Sequence, residues 1–311
     1  MLIPFKLPAE REFDVVGFGL NAVDHLIAVP EYPAFDTKVR FLEYEKSAGG
    51  QTATAMVALK RLGFKTAYAG RFGSDADGRF GLQSLKYEGV NLDFAETIDG
   101  ANNQVAFIMI DARSGERTII WDRDSRLSYR ADEAPIELAT RGRVLHVDAH
   151  DPPACAVMAR AARATGAVVT ADIDNIYEGL PELLPEIDVL ITSAKFPHRL
   201  TGIAGERASL IETQARYGCA IVGATMGARG ALVYCEGQFI ESPAFAVPGG
   251  CRDTTGAGDA FHAGFIYGML HGEDLKSCMK LGNAVAALKC RSLGGRAALP
   301  TAGELKELLK T

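Results

Sequence analysis

The chain has 311 residues, 48% hydrophobic and 23% charged, a balance that fits a globular protein with a sizeable core and excludes a disordered or fibrous one. A formal net charge of −6 argues against nucleic acid or an anionic membrane as the main partner. No run approaches the ~20 apolar residues that span a bilayer, and six cysteines without a C-x-x-C pair read as reduced thiols of a cytoplasmic protein.

Phe13 to Gly19 is a short apolar run ending in glycines, the pattern of a buried parallel strand. Gly17-x-Gly19-x-x-Ala22 also fits the loose dinucleotide fingerprint, but that motif needs a helix immediately afterwards. Val23 to Val29 reads as extended instead, and Pro30 and Pro33 follow. Asn21 and Asp24 are thereby left at a strand end, where open α/β sheets bind ligands. Thr37 to Lys46, Gln104 to Ile110 and Glu116 to Asp122 are further extended runs outside any strand–helix alternation, the last two joined as a hairpin through 111–115. They predict a small separate sheet, a lid over the site formed by about 34–47 and 101–123. Because Gln104 to Ile110 is apolar on both faces, that lid is expected to pair with a second copy of the chain in a homodimer.

Gly49-Gly50-Gln51 opens a helix that ends at Leu62-Gly63, and a second glycine-rich passage covers 69–78. From Val144 the rhythm is strand then helix, with strands at 144–148, 167–172, 187–192 and 219–224. That is the βαβ alternation of a parallel sheet covered on both faces. A strand pair at 230–235 and 239–245 follows, and 303–310 reads as a short amphipathic helix. The expected fold is a single α/β domain of three layers, a parallel-rich central sheet flanked by helices.

Between the strand pair and the tail, Asp253-Thr254-Thr255-Gly256-Ala257-Gly258-Asp259 forms a glycine-rich turn into a helix carrying Phe261, Phe265 and Met269 at helical spacing. The hydroxyls of Thr254 and Thr255 are good N-caps. Glycines let the backbone approach a ligand, and the first-turn N–H groups are unpaired donors at the positive end of the dipole, so the turn is a ready anion site. Alone, Asp259 would only complement that dipole. Beside an anion-binding turn, a carboxylate gives what phosphoryl transfer to a hydroxyl needs: one group to take the proton and others to hold charge on the moving phosphoryl.

This heptapeptide resembles the C-terminal signature of the ribokinase-like, or PfkB-type, carbohydrate kinases. Gly49-Gly50 resembles the family's N-terminal signature, Asp24 falls where the family keeps an acidic residue, and Thr225 to Gly230 resembles its T-x-G-x-x-G segment. The likeness runs from about Val15 to Pro300, and 114–120, 285–290, 294–296 and His262 look most like the ketohexokinase and sulfofructose kinase branch. It implies a ribokinase-like fold and an ATP-dependent kinase, using Mg²⁺, that phosphorylates a hydroxyl of a sugar or sugar-like molecule. Asp259 would be the general base, and the N–H groups of Gly256, Ala257 and Gly258 would hold the developing charge. Asp24, Gly49, Gly50, Gln51 and Asn103 would bind the sugar, and Thr225, Gly227, Gly230 and Asn283 the nucleotide. A monovalent cation, K⁺, is implied near the 251–255 turn and the 291–296 loop.

The departures are specific. Many members have Asn where this chain has Gln51, and Ser193-Ala194-Lys195-Phe196 stands where many have N-x-x-E, so the metal ligands are unassigned. Asp172, Asp174 and Asn175 are placed to order water around Mg²⁺, although Asp174 and Asn175 serve equally as helix caps. His262 alone reads as a packing or hydrogen-bonding residue, and no histidine pair has metal-ligand spacing. Two other readings follow from the same residues: a catalytically silent sugar- or nucleotide-binding regulator, suggested by Gln51 and the missing N-x-x-E, and a nicotinamide-dependent oxidoreductase, suggested only by the Gly17 fingerprint.

Overall fold

The computed structural model describes residues 1–310. Its main sheet has eight strands, in the order Gln238–Ser242, Ala231–Cys235, Ile221–Thr225, Val189–Ser193, Val168–Ala171, Gly142–Val147, Phe13–Phe18 and Thr66–Ala69. All neighbours are parallel except at Ala231–Cys235, which runs antiparallel to both of its partners. Apolar residues occupy consecutive positions along these strands because both faces are covered. Val15, Val144, Val168, Val189 and Ile221 point to one core, and Val16, Leu145, Val169, Leu190 and Val222 to the other. Helices Gln51–Arg61, Ala257–Leu270 and Leu275–Lys289 pack on the first face, and Pro152–Ala164 on the second.

The pair Ala257–Leu270 and Leu275–Lys289 sits unusually close, because a side chain at Gly264 would strike the Leu281 carbonyl and the Gly282 Cα. Small residues at that crossing let the two backbones touch, which aims the start of the first helix at the carboxyl ends of the main-sheet strands.

A second sheet has four strands in the order Glu43–Gly49, Ala22–Val29, Val105–Asp111 and Arg117–Asp122. The 105–122 hairpin therefore lies outside the main sheet, as its separate rhythm predicts. Two boundaries differ. Residues 34–42 hold no strand, and Ala22–Val29 is a central strand of this sheet. That strand follows the main-sheet strand Phe13–Phe18 after a three-residue link and is apolar on both faces, so no change of composition marks the crossing. Leu26, Ala106, Ile108, Ile110 and Leu293 form its own small core. A two-stranded parallel ladder, Arg71–Gly73 with Glu96–Ile98, completes the β structure. No helix among the described residues is long and apolar enough to cross a membrane, and all six cysteines are free.

Candidate active site

A cleft of about 1170 Å³ opens between the carboxyl ends of the main-sheet strands and the inner face of the smaller sheet. One wall carries Asp172, Ser193 and Thr225, at or just after three parallel strands, the usual ligand position in open α/β sheets. The facing wall carries Asp24, Ala106 and Ile108, then Arg117, Ile119 and Trp121 at alternate positions of one strand. Between the walls stands the glycine turn, with Thr254 to Asp259 all lining the cleft.

The turn differs from the expected cap. Gly256, in the left-handed region at φ 75°, is the N-cap of Ala257–Leu270, and no side chain caps that helix. A side chain at 256 would also meet Gly295 Cα at 2.8 Å, so glycine is needed for both conformation and space. Thr254 is used elsewhere: its Oγ1 donates to the Gly115 carbonyl (3.0 Å) and accepts from Arg117 Nη1 (2.8 Å), tying the hairpin of the smaller sheet to the turn. Ala257 N–H donates to the Thr254 carbonyl (3.1 Å). Among the described residues Gly256 and Gly258 N–H have no such partner, so two of the three expected donors are free.

The carboxylates around this turn are pushed apart in acidity. Burial, then the neighbouring charge of Asp172, raises Asp259 well above the usual carboxylate range. Burial acts the same way on Asp172, but the His262 ring, 3.4 Å away, and the Gln51 amide outweigh it and hold Asp172 low. Across the cleft, burial raises Asp24 to about 6 despite the attraction of Arg296. Such splitting of neighbouring carboxylates is how sites assign acid and base roles.

Comparison with known proteins identifies the fold and chemistry. The chain matches the pfkB family of carbohydrate kinases over residues 13–302. It belongs to that family. A ribokinase from Haemophilus influenzae is 28% identical over 302 residues, covering 94% of this chain and 96% of its own. A nucleoside kinase from Methanothermobacter thermautotrophicus is 25% identical, covering 94% of each chain. The structure of Arabidopsis thaliana ribokinase complexed with ribose and ATP superimposes with a TM-score of 0.79 at 22% identity, covering 96% of this chain and 99% of the ribokinase chain.

 The pfkB-family protein is thus a phosphotransferase with an alcohol group as acceptor, a sugar kinase, on a ribokinase-like α/β fold.

The structure gathers most of the residues that the sequence nominates. Asp24, Gly49, Gly50, Gln51, Thr225, Gly227, Gly230, Asn283 and the 256–259 turn all line the cleft. Any side chain at Gly49 would run into the Asp24 carboxylate, so the paired glycines let the start of Gln51–Arg61 close onto that strand. Asn103 is not among the lining residues: its Oδ1 accepts from Gly73 N (3.2 Å) and its Nδ2 donates to the Gln104 carbonyl (3.1 Å). Asn21 likewise spends its amide on the Arg71 carbonyl (2.8 Å). Asn283 reaches the cleft, but its Nδ2 donates to Ser242 and Pro243, which steadies the wall at 244–247. Of the candidate water-ordering residues, Asp172 and Asp174 line the cleft, whereas Asn175 accepts from Arg199 (2.6 Å).

Three residues with clear work were missed. Arg117 is the one Arg or Lys among the described residues lining the cleft; its alternation with Ile119 and Trp121 was the available signal. Asp148, fully buried, accepts from Leu20 N (2.5 Å), Thr52 Oγ1 (2.8 Å) and His150 N (3.2 Å), and joins three segments beneath the site. Arg296, also buried, donates to the Gly49 carbonyl and to Thr54 Oγ1 (3.2 Å), fixing the paired-glycine turn from behind. Neither contact leaves a local pattern in the sequence.

Proposed function

We propose that this sugar kinase uses ATP and that Asp259 is the base that takes the proton of the acceptor hydroxyl. The observation that carries this reading is the position of the Asp259 carboxyl, raised in pKa, on the same turn as the free N–H groups of Gly256 and Gly258. A base poised above the ordinary carboxylate range takes a proton more readily near neutral pH, and the two N–H groups at the helix start oppose charge on the phosphoryl. Asp24, with Gly49, Gly50 and Gln51 beside it, would accept hydrogen bonds from the acceptor's hydroxyls. Arg117 acts electrostatically on both Asp24 and Asp259 and would balance negative charge between them. The adenine nucleotide would lie against Thr225, Gly227, Gly230 and the wall that Asn283 supports.

No group of three or more His, Cys, Asp or Glu side chains among the described residues could hold a metal ion alone. That fits Mg²⁺ carried on nucleotide phosphates, which keeps several waters and needs few protein ligands. Asp172 and Asp174 would hold those waters, and the ion would screen phosphate charge during transfer. The test is ADP release with ketoses, aldoses, sugar acids, sulfo-sugars and nucleosides as acceptors. No ADP above the ATP-only background with any acceptor would sink the assignment.

The smaller sheet in this reading is a lid and a dimer face. Its outer surface carries Tyr44, Phe107 and Ile120, exposed by 52%, 52% and 67%, with His25 stacked on Phe107 at 5.1 Å. Apolar side chains at paired positions of an open sheet favour a second sheet on top. A dimer at micromolar concentration is expected by sedimentation, and Ile120→Glu should convert it to monomer. A monomeric wild-type protein would refute the dimer face.

A further inference from the structure

The family resemblance implies K⁺ between the 251–255 turn and the 291–296 loop, and the residues there do not fit it. The Lys289 ammonium, at the end of Leu275–Lys289, donates to the Asp253 carbonyl at 2.9 Å and lies 3.7 Å from Asp253 Oδ2. Both side chains are fully buried. The Asp253 carboxylate is also committed to the surrounding backbone: Oδ1 accepts from Thr255 N and Oδ2 from Gly294 N, each at 2.8 Å. Arg252 N donates to the Cys290 carbonyl at 2.9 Å, closing the turn against the end of that helix. The Asp253 oxygens, which could ligate a cation between the turn and the loop, therefore already face a positive charge. A second cation a few ångströms away in a buried setting would be repelled.

We propose that the Lys289 ammonium serves as the built-in monovalent cation of the glycine turn, so that this kinase does not depend on K⁺. Ammonium and K⁺ carry the same single charge and are similar in size, and here the charge is tethered by the chain. Lys289 is a positioning residue: it holds the Asp253 carbonyl and carboxylate, and through them the first-turn donors at Gly256 and Gly258. Burial pulls its pKa down while Asp253 opposes that shift, as expected of an internal ion pair.

The experiment compares chloride salts of K⁺ and tetramethylammonium at equal ionic strength, reading melting temperature and ADP release. The wild-type protein should show the same melting temperature in both salts and a rate that agrees within twofold. Lys289→Ser opens space for a free ion; it should lose at least tenfold in rate in tetramethylammonium and regain most of it with K⁺ or NH₄⁺. Lys289→Met, which fills the space without charge, should lose rate and stay unrescued. A wild-type rate or melting temperature that rises with K⁺ over tetramethylammonium, by fivefold or several degrees, would overturn the proposal. So would a folded Lys289→Ser that no small monovalent cation restores. The melting comparison on wild-type protein needs neither a folded variant nor the catalytic role of Asp259, so its failure is distinguishable from failure of that role.

Discussion

Asp259→Asn should lower turnover by roughly 10²–10⁴ while ATP affinity changes little, because proton acceptance matters in the transition state and hardly in the ground state. The substitution keeps the size of the side chain and removes the basic oxygen. If Asp259 only complemented the helix dipole, the change would cost about 0.3–1 kcal/mol of stability and leave the rate nearly intact. The pH profile gives a second readout. A base must be ionised, so wild-type kcat/KM should fall as pH drops through the pKa of Asp259, which burial and Asp172 raise above the ordinary carboxylate range. Asp172→Asn removes the repelling charge and should move that acid limb to lower pH. Near-normal turnover of Asp259→Asn on the best acceptor would end the general-base assignment.

Asp24→Asn should weaken the acceptor and strengthen the fold. Losing a charged acceptor of hydrogen bonds costs roughly 1.5–3 kcal/mol, which is about a 10- to 100-fold loss in kcat/KM, mostly through KM. Stability moves the other way. In the folded protein burial raises Asp24 to about 6 from an ordinary 3.8, so the native state binds its proton more tightly than the unfolded state does. Its ionisation therefore destabilises the fold as pH rises from about 4 to 6, and the full penalty, up to roughly 3 kcal/mol, applies above that. The neutral Asn removes the penalty, so Asp24→Asn should melt higher than wild type at pH 7.5, with the gain shrinking at pH 5. A variant that melts lower at pH 7.5, with unchanged KM, would refute both roles. The expected trade is that of a binding group kept in place at the expense of stability.

The local chemistry of this protein is legible in its sequence because it depends on neighbours in the chain. A left-handed residue at a helix start needs glycine, which marks Gly256; strand–helix alternation after Val144 reports a sheet buried on both faces. The glycine pairs, Asp24 and the 253–259 heptapeptide are short runs of that kind, and the cleft unites them. What only the tertiary structure decided are contacts between distant segments. The strand Ala22–Val29 joins the smaller sheet through pairing with Glu43–Gly49 and Val105–Asp111, not through its own composition. Asn103, polar and close to the hairpin, turns instead to Gly73. Arg117 enters the cleft by strand register, and Thr254 is claimed by Gly115 rather than by its own helix. The Lys289 ammonium meets the Asp253 carbonyl across 36 residues of chain. The sequence alone determines backbone preference and periodicity, whereas partner choice among buried polar groups is settled only when packing brings the competing donors and acceptors together.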